Sequence, residues 1–119
     1  MSEQALEVTT ELVGTVHVVR VAGRMDTNTA DGFDVRMHEL VNPDAARLVL
    51  DLAQVNYMSS AGLRSLLVLI KQVKTLDGAL VLAAVHPRVQ DILNIAGFTA
   101  MFTIVPTTAE ALARLQQDQ

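Results

Sequence analysis

The chain predicts an α/β domain: one mixed, mainly parallel sheet of about five strands packed with four helices, in the order β-β-α-β-α-β-α-β-α. Three observations lead there. Two strand-like runs adjoin at the start with only a short turn between them, which reads as a hairpin. Leu48 to Leu52 and Ala79 to Ala84 are nearly unbroken apolar runs, the pattern of strands covered on both faces. Between such runs lie helical periodicities, clearest at Leu63, Leu66, Leu67, Ile70 and Val73. Strands alternating with helices imply crossover connections and parallel pairing, and the opening hairpin makes the sheet mixed.

The elements follow in order. Leu6, Val8, Thr10 and Leu12 alternate with polar neighbours, as in a half-buried strand. Gly14 marks the turn, and the Val-rich stretch Thr15 to Ala22 is the second strand, ended by Gly23-Arg24-Met25-Asp26. Thr27, Asn28 and Thr29 are cap-forming types before a helix whose inner face is Phe33, Met37, Leu40 and Val41. Gly32 weakens that helix and Asn42-Pro43 stops it. After the Leu48 to Leu52 strand, Ala53 to Met58 reads as a loop leading to Ser59-Ser60-Ala61-Gly62 and the Leu-rich helix. Lys71 and Lys74 complement the dipole near its end, and Asp77-Gly78 turns the chain. Pro87 suits the first turn of the next helix, with Val89, Ile92, Leu93 and Ala96 inward and Gly97 as its stop. Met101 to Val105 is the last strand. Thr107-Thr108-Ala109-Glu110 reads as a capping box for a final helix with Ala111, Leu112 and Leu115 inward, fraying over Gln116 to Gln119.

Composition narrows function. The chain has 119 residues, 50% of them apolar, with 3% aromatic, no cysteine and a net charge of -4. That is the size of one domain, residues 1–119, able to bury a core without disulfides or metal. Lack of cysteine excludes thiolate metal sites and cysteine nucleophiles. The acidic balance argues against nucleic acid, whose binders carry a basic patch. No apolar stretch approaches the roughly 20 residues of a membrane helix. Met1 to Glu7 lacks the basic start of a signal peptide, so a cytoplasmic location is expected.

Enzyme signatures are sparse. There is no nucleophile elbow, Walker loop, dinucleotide fingerprint or paired-histidine zinc motif. His17, His38 and His86 fall in different elements, and His17, alternating with valines, is expected to face solvent. Asp31 and Asp34 lie near a helix start, where the dipole favours acids. No catalytic residue, metal site or cofactor is therefore expected. The informative segment is Asn56 to Arg64, where two hydroxyls stand at a helix N-terminus. One reading is ordinary capping, with a serine accepting a bond from a helix N–H. The other is a phosphate acceptor, since a phosphoryl group there meets free N–H groups and the positive end of the dipole. Gly62 would let a partner or phosphate approach the backbone closely.

The chain resembles the STAS domain family, and within it the stand-alone bacterial anti-sigma factor antagonists. The likeness rests on Gly23-Arg24-Met25-Asp26, Leu50-Asp51-Leu52, Leu93-Asn94-Ile95-Ala96-Gly97-Phe98 and above all Tyr57-Met58-Ser59-Ser60-Ala61-Gly62-Leu63. Aligned on Gly62, the family's phosphorylated serine falls on Ser60, and its preceding aspartate on Ser59. That is a departure which makes Ser59 a second candidate acceptor. The resemblance implies a partner switch. When unphosphorylated, the protein binds an anti-sigma factor that is a GHKL-type serine kinase. Phosphorylation of Ser60 releases it, and a PP2C-type phosphatase dependent on Mn or Mg restores the serine. The partner-binding residues it implies are Asp26, Thr27, Met58, Ser59, Ser60, Ala61, Gly62 and Arg64. Asp26 also reads as a turn acid, and Met58 as plain core. Alternative readings are an unphosphorylated accessory protein of a lipid-transport ATPase complex and a scaffold in a stress-signalling assembly. No nucleic-acid or membrane partner is expected, and the chain is read as a monomer or a weak homodimer joined through an edge strand.

Overall fold

The structure is a computed structural model and describes residues 6–117. Readings that rest on residues 1–5 or 118–119, parts of the Met1 to Glu7 and Gln116 to Gln119 stretches, lie outside the described residues. The strands are β1 (Glu7–Val13), β2 (Val16–Met25), β3 (Arg47–Met58), β4 (Ala79–Ala83) and β5 (Thr103–Val105). The helices are α1 (Ala30–Leu40), α2 (Ser60–Thr75), α3 (Pro87–Ile95) and α4 (Thr108–Gln117), with a single 3-10 turn at Thr99–Met101. The sheet order is β1-β2-β3-β4-β5. β1 is antiparallel to β2, and every later pairing is parallel. Mixed sheet, hairpin and crossovers agree with the order of the apolar patterns.

Two cores sit on the two faces of this sheet. α1, α2 and α3 cover one face, where Phe33, Met37, Leu66, Leu69, Val73, Val89 and Leu93 meet Val19, Val21, Leu48, Leu50 and Leu82. α4 alone covers the other, setting Ala111 and Leu115 on Val16, Val18, Val49 and Val81. β3 serves both, because successive side chains of a strand point to opposite faces. Pro87 opens α3, where His86 Nδ1 accepts from the Arg88 N–H at 3.1 Å, and Gly97 follows its end at φ +77°. Thr107 Oγ1 caps α4 by accepting from the Glu110 N–H at 3.1 Å.

Several boundaries differ from the sequence pattern. β2 continues to Met25 rather than ending at Ala22, and Ala53 to Met58 is strand, not loop. Bulges are the reason. Arg20 pairs with Asp51 but Ala22 with Gln54, and Gly23 pairs with Val55 but Arg24 with Tyr57. Each shift turns β3 by one extra residue. Leu52, Val55 and Met58 then all face inward at a spacing of three, a period that mimics neither strand nor helix. The last strand starts at Thr103, because Thr99–Met101 coils into the 3-10 turn. Leu6 and Val8 pack against the core under α1, α2 and α3, and Val13 against the core under α4, while Leu12 is 61% exposed. His17 does not face solvent: it is half-buried, and its Nδ1 is sealed with no hydrogen-bond partner among the described residues. No described helix is long and apolar enough to cross a membrane.

Candidate functional site

The two longest strands, β2 and β3, end side by side, with Met25 paired to Met58. The chain leaves β3 under the hold of its neighbour: the Ser59 N–H donates to the Met25 carbonyl at 2.8 Å. Ser59 is extended, with φ -90° and ψ 179°, and caps α2. Its Oγ accepts from the Gly62 N–H at a long 3.5 Å, while its carbonyl accepts from the Leu63 N–H at 2.9 Å. Ser60 is the first helical residue and is exposed. Its own N–H and that of Ala61 fall in the first turn, where a helix supplies no acceptor.

Gly62 is buried, and a Cβ on it would lie 2.8 Å from the Met25 carbonyl oxygen and 2.8 Å from Met58 Cγ. The glycine thus lets α2 press onto the strand ends from inside. It does not open the backbone to an outside partner, as the sequence reading expected. Met58, named there as a partner contact, is 2% exposed and belongs to the core.

The β2–α1 loop stands at the same end of the sheet. The Asp26 carbonyl accepts from the Thr29 and Ala30 N–H groups at 3.1 and 2.9 Å, and its Oδ1 accepts from the Asn28 N–H at 2.9 Å. Thr29 is 7% exposed. Its hydroxyl donates to the Arg24 carbonyl at 2.7 Å and accepts from the Asp26 N–H at 3.0 Å. It therefore ties the loop together without capping α1 through its side chain. The Arg24 guanidinium lies 3.5 Å from Asp26 Oδ2 and stacks 4.3 Å over the Tyr57 ring. Asp26 is thus a turn acid with a cation beside it.

The strand ends bring Asp26, Thr27, Ser59 and Ser60 to one rim of the sheet, with Ala61 half-buried and Arg64 exposed one helical turn on. Arg24, Tyr57 and Thr29 belong to the same rim and were not singled out from sequence as site residues. Their signal was the Gly-Arg-Met-Asp run itself, whose arginine falls opposite the tyrosine only once the bulged register is known. No described cluster of His, Asp or Glu is arranged to hold a metal ion. His17, His38 and His86 remain in β2, α1 and the cap of α3. The Ser60 hydroxyl is exposed and has no hydrogen-bond partner among the described residues.

Comparison with known proteins places this fold in a family. BtrV of Bordetella bronchiseptica, provisionally named an anti-sigma factor antagonist, is 29% identical over 108 residues, spanning 91% of this chain and 93% of its own. The anti-sigma F factor antagonist of Paenibacillus polymyxa is 28% identical over 102 residues, 85% of this chain and 87% of that one. The crystal structure of an anti-sigma factor antagonist from Mycobacterium paratuberculosis superposes with a TM-score of 0.83 at 24% identity, covering 96% of this chain and 97% of the other. The STAS domain model matches residues 7–111, from the first strand into the last helix, and this chain belongs to the STAS domain family.

Proposed function

We infer that the protein is an anti-sigma factor antagonist that works by docking and undocking, with Ser60 as the phosphorylated residue. The observation that carries this reading is the division of labour between the two serines. Ser59 turns its hydroxyl back to the Gly62 N–H as the cap, whereas Ser60 is exposed beside it with an unengaged hydroxyl. The partner is an anti-sigma factor with GHKL-type serine kinase activity, and a PP2C-type phosphatase resets the site. The relatives' names and the family pattern at Tyr57 to Leu63 support the assignment.

The physics of the switch is local. A phosphoryl group on Ser60 adds about -1.5 to -2 charges at the rim where Asp26, Thr27 and Arg64 stand. In the free protein that charge sits in water at the positive end of α2, where such a placement is favourable by about 0.3–1 kcal/mol. In a packed interface the same dianion loses its water, which costs several kcal/mol unless a cation meets it. About 1.4 kcal/mol is tenfold in affinity, so one modification releases the partner without refolding the domain.

The test is a pull-down from the native host followed by mass spectrometry of the recovered protein. The expected result is an ATP-binding serine kinase in the eluate and phosphate mapped to Ser60. Phosphate on Ser59 alone would move the acceptor. A stable complex with a transporter ATPase and no phosphate would replace the reading altogether.

A further inference from the structure

β1 is the outer strand of the sheet, paired with β2 on one side. Val13 pairs with Val16, so the hairpin loop has two residues and its flanking pair exchanges backbone bonds. In an antiparallel ladder bonded and non-bonded pairs alternate. Glu7, Thr9, Glu11 and Val13 therefore bond to β2, and the N–H and C=O groups of Val8, Thr10 and Leu12 point outward. Arg36 bears this out, since its Nη2 donates to the Val8 carbonyl at 3.0 Å. The strand has no lysine, no proline and no bulge against β2, and its charged residues are the two acids Glu7 and Glu11. Leu12, 61% exposed, lies on the helix-covered face in the row of Val8, opposite His17 as Val8 is opposite Val21.

We propose that a second copy of this chain covers that edge, the two β1 strands joining antiparallel about Thr10 so that one sheet runs through both molecules. Charge and length together select the register: centring on Val8 or on Leu12 keeps the acids apart but pairs only three residues of β1 with β1 of the other copy, Glu7 to Thr9 or Glu11 to Val13. Centring on Thr9 sets Glu7 opposite Glu11 of the other copy, and centring on Glu11 sets Glu11 opposite itself; like charges directly opposite are destabilising. A half-step register opposes an outward-facing residue with an inward-facing one and loses the bonds. Centring on Thr10 pairs Glu7 with Val13, Val8 with Leu12, Thr9 with Glu11 and Thr10 with Thr10. No acid lies directly opposite an acid, the outward-facing groups meet in bonded pairs, and each exposed Leu12 gains Val8 of the other copy as its neighbour. Two edge strands make a small interface, so the dimer is weak and concentration-dependent. The inference is independent of the function proposed above, because it concerns the free edge of the hairpin and not the rim that holds Ser60.

The chain contains no cysteine, which gives a clean background for crosslinking. In a bonded antiparallel pair the Cα atoms are about 5.5 Å apart and the Cβ atoms are too wide for a direct disulfide, so a short reagent that joins two thiols is the suitable crosslinker. With that reagent Thr10→Cys should form a covalent dimer at least ten times faster than Asp91→Cys, which is exposed on α3. Sedimentation of the cysteine-free protein from micromolar to millimolar concentration should show the mass rising above 12.9 kDa, and Leu12→Lys should weaken that rise at least tenfold. A wild-type mass fixed at 12.9 kDa throughout overturns the proposal. So does a dimer in which Thr10→Cys crosslinks no faster than Asp91→Cys, since the copies then meet elsewhere.

Discussion

Gly62 rests directly on the main-chain carbonyl of Met25: a Cβ at position 62 would come within 2.8 Å of that oxygen, which also accepts the Ser59 N–H. One carbonyl at the end of β2 thus sets both where α2 begins and how closely it approaches the sheet. Replacing glycine by alanine inside a helix ordinarily gains about 0.5–1 kcal/mol. Here the steric term wins, because the obstacle is backbone, and overpacking of this kind costs about 1–3 kcal/mol. Gly62→Ala should lower the denaturation midpoint and weaken partner binding together. Gly32 in α1 is the control, since a Cβ there would meet nothing within 4 Å. Gly32→Ala should raise the midpoint by the amount helix propensity allows.

Thr29 makes a second test of the rim. Its buried hydroxyl serves the Arg24 carbonyl and the Asp26 N–H at once. Valine keeps the shape and removes both bonds, leaving polar groups short of partners at a cost of about 1–3 kcal/mol. Thr29→Val should destabilise the protein and loosen the Asp26 loop, seen as faster amide exchange at Asp26. Thr29→Ser should behave as wild type.

How the strand ends meet explains what was legible in the sequence. α2 was readable because Leu63, Leu66, Ile70 and Val73 keep a helical period and all lie in the core. That one of the two serines could cap α2 was readable because capping needs only a hydroxyl before a helix, but which of them does so is settled by the Met25 carbonyl that holds the Ser59 N–H. The end of β3 was not, because two bulges bring Leu52, Val55 and Met58 inward at a spacing that belongs to no regular element. With that stretch read as loop, Arg24 had no visible neighbour, and its stack on Tyr57 stayed hidden. Gly62 was noticed for its missing side chain, but the surface that needs it missing is Met25, 37 residues earlier, in no local pattern and across a strand pairing.

Ser60 and Ser59 should separate cleanly by mutation. Ser60→Ala keeps an uncharged rim and should hold the kinase partner constitutively. Ser60→Asp places a charge where the modification would and should bind at least tenfold more weakly by calorimetry, with unchanged stability because an acid suits the first turn of α2. Equal affinity for both variants would refute the charge switch.

Ser59 is where the chain leaves the family pattern. Aspartate caps a helix about as well as serine, so Ser59→Asp should fold with unchanged or slightly higher stability, whereas Ser59→Ala should lose about 0.5–2 kcal/mol, toward the lower end given the 3.5 Å bond. The carboxylate would also stand beside the phosphate arriving on Ser60, and like charges oppose one another. Ser59→Asp should therefore slow phosphorylation of Ser60 in a time course followed by intact mass. Identical rates would mean that the neutral residue at 59 has no bearing on the switch.

Arg36 gives the edge strand its own test. Its guanidinium donates to the Val8 carbonyl, one of the outward-facing acceptors that the second copy would use. The arginine is exposed, so this bond is worth little to the folded chain, and Arg36→Ala should leave stability within about 0.5 kcal/mol. Dimerisation is different, because the guanidinium competes with the Leu12 N–H of the other copy for the Val8 carbonyl. Removing the arginine lifts that competition and also frees the outer rim of β1 from a bulky side chain. Arg36→Ala should tighten self-association several-fold in the same sedimentation series, an outcome opposite to that expected for the loss of an interface residue. Weaker association in this variant would mean that Arg36 contributes to the contact and that Val8 is not paired across it.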